Sequence, residues 1–149
     1  MDNQPQNKRP SKISLYINIA LAVVLVGLMI WTLIPAPKVA VKNISISILD
    51  ESAVEIKFIS SKDYKSNLVA DILKENKSVM QLGYTESSYG MLITSAMGKD
   101  DNYDWGAGTG YAWAFEVNFQ QAAVGVSAYR VKDGDVIVLR YVDASYWGY

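Results

Sequence analysis

The chain is 149 residues long, half of them hydrophobic, with 14 basic and 15 acidic side chains and a formal net charge of −1. It contains no cysteine and no histidine, which excludes disulfides and thiolate-held metals and removes most acid–base and nucleophile-activating schemes. From Lys38 onward eleven basic side chains stand against fourteen acidic ones, a mild acidity that argues against nucleic acid or anionic lipid as partner.

Met1 to Lys12 is polar, carries two prolines and is expected to be a disordered cytoplasmic tail. Ile13 to Ile34 follows, twenty-two residues without a charge, and as a helix it would rise about 33 Å, enough for a hydrocarbon core of about 30 Å. The stretch is longer than a secretory h-region of roughly 7 to 15 residues, and no small-x-small cleavage site follows it. It reads as an uncleaved, single-pass membrane anchor. Lys8, Arg9 and Lys12 before the span outnumber Lys38 and Lys42 after it, which places the N-terminus in the cytoplasm and the rest of the chain outside the cell membrane. Tyr16 and Trp31 fall near the two ends, where amphipathic rings favour the headgroup level. Pro35 to Asn43 reads as a stiff, extended spacer holding residues 44–149, the extracytoplasmic domain, close to the bilayer.

Within that domain Ile44, Ile46 and Ile48 alternate with serines, a period-two strand with one buried face. Val54, Ile56 and Phe58 alternate with Glu55 and Lys57 in the same way and are expected to face the core of a two-stranded hairpin. Leu68, Val69, Ile72 and Leu73 change to helical spacing, with Ser66 or Asn67 as N-cap. This is the one soluble helix predicted. "VMQLGYTES" and "YGMLITSAMG" read as two strands, or a strand and an extended arm. Tyr111, Trp113, Phe115 and Val117 share one face of a further strand, and "KDGD" turns into a last strand from Val136 to Val142. The order β-β-α-β-β-β-β predicts an α+β fold, a sheet curled over one helix and preceded by the membrane helix.

The stretch "GKDDNYDWGAGTGYAW", Gly98 to Trp113, carries the densest chemistry. Asp100, Asn102 and Asp104 have the spacing of the first three ligands of an EF-hand, but the sixth and twelfth places hold Trp105 and Tyr111 where glycine and glutamate are needed. A cation site of another kind from Asp100, Asp101 and Asp104 stays open beside a solvated acidic loop. "GAGTG" leads into a strand rather than a helix, which argues against a phosphate cradle. Its glycines read as loop flexibility. Asp133 and Asp135 flank Gly134 in a turn, where those residue types serve the backbone. Trp113 and Phe115 read as core. Tyr103, Trp105 and the tail residues Tyr146, Trp147 and Tyr149 lie in polar contexts, either gripping a ligand or folding back as a lid.

In order along the chain, Leu68 and Leu73, Tyr89, Gly90, Ile93 and Gly98, then Trp113, Phe115, Val117 and Asn118, then Gly125, Val126, Tyr129, Gly134, Asp135, Ile137 and Tyr141 resemble the pattern of the transcobalamin-like C-terminal domain family. That β-grasp-type domain occurs in bacterial surface proteins and at the C-terminus of transcobalamin and intrinsic factor. The likeness covers Ile44 to Val142, and five motifs in register are more specific than any one. Where the family has Asn-Gly this chain has Asn118-Phe119, so a wider loop is expected in place of a two-residue hairpin with both central residues at positive φ.

The resemblance implies binding without catalysis. In the vertebrate carriers the domain closes over cobalamin against a helical barrel absent here, so a partner such as a membrane transporter would supply the other wall. On this reading the chain is a membrane-anchored, extracytoplasmic binding module for a small, cobalamin-like ligand. Tyr103, Trp105, Tyr111 and Phe119 line the contact surface, and Asp100, Asp101 and Asp104 tune it. The alternative is a structural or assembly protein whose loop and aromatic tail dock onto a membrane or cell-envelope complex.

Overall fold

The computed structural model describes residues 12–33, 38–104 and 106–147, and the polar tail 1–11 lies outside them. The chain divides into two units, Met1–Pro37 and Lys38–Tyr149. The first is the helix α1, Lys12–Leu33. Its described side chains run from Tyr16 to Met29 and all are exposed. Among the described residues no helix is long and apolar enough to cross a membrane.

The second unit is mostly sheet. Its elements are β1 (Val41–Leu49), β2 (Glu55–Tyr64), the helices α2 (Val69–Glu75) and α3 (Lys77–Met80), then β3 (Gly83–Ser87), β4 (Gly90–Ala96), β5 (Lys99–Asp100), β6 (Tyr111–Val117), β7 (Gln120–Gln121) and β8 (Val136–Asp143), closed by a 3₁₀ turn at Ala144–Trp147. A five-stranded sheet has the order β2-β1-β8-β6-β7, and β3-β4-β5 form a separate small sheet. β1 and β8 run parallel, Ser45–Leu49 opposite Val136–Arg140, and the other pairings are antiparallel. β1 begins at Val41, inside the segment read as spacer.

The alternation of β1 places Ile44, Ile46 and Ile48 wholly inside, against Ile137 and Leu139 of β8 and Val69, Ile72 and Leu73 of α2. This is the curled sheet on a helix that the periodicity predicts. α2 differs from expectation at its start. No side chain caps it; the N–H groups of Val69 and Ala70 instead donate to the carbonyls of Tyr129 and Val126 at 3.1 and 3.0 Å. Ser66 accepts from Leu68 N–H at 3.2 Å and donates to Asp71, so the expected cap residue orders the approach to the helix rather than its first turn. A second short helix, α3, carries the chain through Met80, and the strand expected from Val79 begins only at Gly83.

β2 corrects a further expectation. Val54 is 58% exposed and Phe58 51%, and Ile56 is also exposed. β2 is an edge strand, and its pairing with β1 slips at three places. The residue opposite the inward Ile46 is therefore Ile59, while Phe58 stands opposite Ser47 on the other face. A shift of one residue exchanges the faces of a strand.

Gly110 shows that the glycines of the Gly98–Trp113 stretch are not all there for flexibility. It has φ +94°, and a Cβ on it would stand 2.5 Å from the carbonyl oxygen of Asn102. Gly108 has φ +66° with nothing within 4 Å. Gly110→Ala should therefore lower the unfolding free energy by about 2–3 kcal/mol, since clash adds to the left-handed backbone. Gly108→Ala should cost only about 1 kcal/mol. Urea unfolding of the two variants measures the difference.

Candidate functional site

Two of the three aspartates of the Gly98–Trp113 stretch cap turns of the loop with their carboxylates. Asp101 accepts from Tyr103 N–H at 3.1 Å, and Asp104 accepts from the N–H groups of Gly106 and Ala107 at 2.8 and 3.1 Å. Asp100 receives the Tyr141 hydroxyl on its main-chain carbonyl at 2.7 Å. Asn102 binds Tyr111 twice, through its side-chain oxygen and its own N–H. Among the described residues no three metal-ligating side chains come together. The cation site left open by Asp100, Asp101 and Asp104 is thus not assembled among the described residues; the Asp101 and Asp104 carboxylates cap turns.

The aromatic residues proposed for the contact surface do not form one surface. Tyr103 is buried. Tyr111 stacks on Tyr141 at 5.1 Å, and Trp113 leans on the same ring at 5.0 Å while its indole N–H donates to Lys99 C=O. Lys99 lies over Tyr141 and pairs with Glu51, and burial pushes the Tyr141 phenol above its ordinary range. Trp105 lies outside the described residues. Phe119 stands past the far end of β6, separated from Tyr111 by about 20 Å of extended strand.

Phe119 overturns the expectation of a wide loop. Asn118 and Phe119 have φ of 53° and 63°, and Val117 pairs with Gln120, so they are the two central residues of a tight hairpin. Asn118 suits this conformation and is clamped: it donates to Asp135 at 2.9 Å and accepts from Val136 N–H at 2.9 Å. Phe119 does not suit it, and it is 57% exposed. A strained, clamped backbone presents a large ring to solvent.

Behind this hairpin the two sheets leave an open cleft. Leu92 and Ile93 of β4, Trp113 and Phe115 of β6, and Val126 surround a hollow of about 150 Å³. It adjoins, through Phe115 and Gly125, a second hollow of about 240 Å³ along Gln121 to Val124. No charged side chain lines either. The far wall is fixed, because Ser127 accepts from Met91 N–H at 2.8 Å and Tyr129 meets Phe115 edge-on at 5.5 Å. Leu92 and Val124 at the mouth are exposed. Strand alternation marks Trp113 and Phe115 as inward residues. It carries no signal that the sheets part beside them, since the gap depends on how β4 is placed against β6.

On the other face of the main sheet Glu116 is buried and held by Arg140, Nε to Oε1 at 2.7 Å and Nη2 to Oε2 at 3.1 Å, with the Tyr146 hydroxyl donating to Oε1 at 2.9 Å. The bond to Glu116 raises Arg140 above its ordinary range. Burial, and then the hydrogen bond to Glu116, push the Tyr146 phenol up to about 12. The cluster is satisfied within itself, which fits a structural part better than a reactive one.

Residues 66–143, more than half of the chain, match the family described as a domain of unknown function, DUF4430. The chain belongs to that family. The DUF4430 domain resembles in fold a Ruminococcus gnavus protein to which metal binding has been ascribed, with TM-score 0.56 and 14% identity over 69% of this chain and 97% of that one. It is also similar to haptocorrin, solved in complex with Cbi, with TM-score 0.55 and 13% identity over 74% of this chain. It spans only 27% of the haptocorrin chain. These likenesses carry the fold alone and place the transcobalamin-like frame beside the DUF4430 domain. No curated protein sequence matches the chain.

Two outcomes test the Glu116 cluster. Arg140→Met strands a buried carboxylate and should cost about 3 kcal/mol, with Glu116→Gln added in the same chain restoring part of it. An unfolded tyrosine ionises near pH 10, below the folded value of about 12 for Tyr146. The stability it contributes is therefore present below pH 10 and lost as pH rises toward 12. Tyr146→Phe should remove part of that alkaline slope in unfolding free energy.

Proposed function

We propose that the chain is a non-catalytic binding module whose extracytoplasmic domain presents the cleft between β4 and β6, with the Phe119 hairpin beside it, to a flat, largely apolar small ligand. The observation that carries this reading is the uncharged cleft walled by Leu92, Trp113 and Phe115. A preformed concave site with mainly apolar walls is the usual form of a small-molecule site. Its two hollows are smaller than the roughly 300–1,000 Å³ of a site that engulfs its ligand, so the module holds one edge of the ligand. A second protein, such as a membrane transporter, covers the rest.

The resemblance to the transcobalamin-like family and the fold shared with haptocorrin support a corrinoid as that ligand. The uncharged run from Ile13 to Ile34 supports a single membrane anchor with the N-terminus in the cytoplasm. The helix α1, Lys12–Leu33, covers about 33 Å at the helical rise. The absence of histidine and cysteine from the chain supports binding without chemistry.

Cobinamide and cobalamin titrated into the full chain in detergent should quench tryptophan emission saturably, beyond the loss seen with free tryptophan. Leu92→Asp, a change at an exposed position, should abolish the effect. An unsaturated response at millimolar corrinoid removes the corrinoid reading. Phe119→Gly should stabilise the fold by about 1 kcal/mol, because it relieves the left-handed phenylalanine, and weaken corrinoid binding several-fold. Unchanged binding would remove Phe119 from the site and leave a protein-docking role for the hairpin.

A further inference from the structure

Among the described residues, one residue on the edge of β6 beside the cleft, Trp113, is 8% exposed and has backbone groups that no loop bond reaches. In an antiparallel strand the N–H and C=O of alternate residues point to the same side. Asn118 N–H donates back to Val136 of β8, so the odd-numbered residues of β6 turn their backbone groups away from β8. Tyr111 exchanges two bonds with Asn102, Phe115 C=O accepts from Ala122 N–H at 3.3 Å, and Val117 pairs with Gln120. Trp113 lies between them. β4 and β6 belong to separate sheets and form no ladder, and among the described residues no loop bond reaches the Trp113 backbone. That edge is the one Ala122 meets at Phe115, and Trp113, Phe115, Gly125 and Leu92 line the hollow.

Resting on the reading of this cleft as the binding site, we infer that it selects an uncharged ligand carrying a carboxamide on a flat apolar group. The amide NH donates to Trp113 C=O, the amide oxygen accepts from Trp113 N–H, and the apolar group enters the hollow beside Phe115. The walls argue for this class. The hollow of about 150 Å³ matches the size of an apolar cavity that accepts a benzene ring. An open backbone donor and acceptor in an otherwise apolar wall favour a ligand that satisfies both, because an unmatched polar group there loses water without replacement. No charged side chain lines the hollow to compensate a charged ligand. An added peptide strand does not fit, since Asn102 and Ala122 already occupy the positions opposite Tyr111 and Phe115. The room between them takes one amide.

Benzamide is the simplest probe of this chemistry, with N,N-dimethylbenzamide lacking the donors and benzoate adding a charge. Titrated into the isotopically labelled full chain in detergent, benzamide should shift the Trp113 amide resonance saturably and slow its hydrogen exchange. The dimethyl analogue should bind about 10-fold more weakly or worse, and benzoate should leave the resonance in place. Leu92→Asp should remove the benzamide response without changing the Glu116 and Arg140 resonances, which report the fold. Equal binding of benzamide and its dimethyl analogue, or benzamide shifts confined to residues away from Trp113, overturns the amide inference. If cobinamide binds while benzamide does not, the inference fails and the binding-module reading stands. If neither moves Trp113, both fail.

Discussion

The parallel pairing of β1 with β8 is the contact on which the rest of the domain depends. It joins the first and last strands of the unit, Ser45–Leu49 against Val136–Arg140, and buries Ile46, Ile48, Ile137 and Leu139 completely. β2 can be added only on one side of this pair and β6 only on the other. Closing so long a loop costs conformational entropy before any contact repays it. With no cysteine to constrain the unfolded chain, burial of the isoleucine-rich face supplies the compensation. The "KDGD" turn secures the junction. Asp133 accepts from Lys42 N–H at 2.8 Å, Gly134 N–H donates to Lys42 C=O at 3.0 Å, and Asp135 receives both Lys132 N–H and the Asn118 side chain. Two aspartates that resemble a carboxylate pair in sequence thus tie the entry of β1, the entry of β8 and the β6–β7 hairpin to one point.

That tie explains how Phe119 can be held in a left-handed conformation. A non-glycine residue there costs about 1–2 kcal/mol and persists only where its surroundings over-determine it. Asn118 supplies the constraint through three bonds to Asp135 and Val136. Asn43, Ala53, Gln81 and Met97 share the left-handed conformation, so the strain alone does not mark the hairpin as functional; what distinguishes Phe119 is its large exposed ring. The opposite face of the sheet is arranged differently. Ser47 donates to Glu55 at 2.7 Å, and Glu116 is met by Arg140 and Tyr146. Each buried polar group there has its partner, which leaves that face structural.

The periodicities of β1 and α2 are legible because each buries one apolar face, and burial writes itself into the spacing of Ile, Val and Leu; β6 is covered on both faces, Ala112, Ala114 and Glu116 more fully than Tyr111 and Phe115. β2 was misread for the complementary reason: on an edge strand with slipped pairing the apolar side chains are not obliged to face inward, so Val54, Ile56 and Phe58 keep a strand's alternation without its meaning. The cap of α2 was illegible because its partners, the carbonyls of Val126 and Tyr129, come from a segment more than fifty residues away. The Asn118–Phe119 turn was misread because the usual glycine is missing and the clamp from Asp135 is long-range. Among the proposed contact residues, composition pointed to Tyr103, Tyr111 and the three aspartates. The structure shows the Asp101 and Asp104 carboxylates occupied as turn caps and Tyr111 stacked on Tyr141.

The apolar cleft, rather than the conspicuous loop, keeps unsatisfied surface for a reason that sequence composition does not express. An aromatic and acidic loop is conspicuous, but two of its carboxylates cap its own N–H groups and Tyr111 lies in a ring stack. The cleft is made of residues that read as core or strand in the sequence, Leu92, Val126 and two strand aromatics, and only their arrangement leaves something unsatisfied. β5 belongs to the sheet of β4, and β7 pairs only with the last two residues of β6. Beyond β7 the edge of β6 turned away from β8 has no paired strand at Trp113, beside the apolar hollow. Lengthening β7 would extend the main sheet along that edge and cover the hollow.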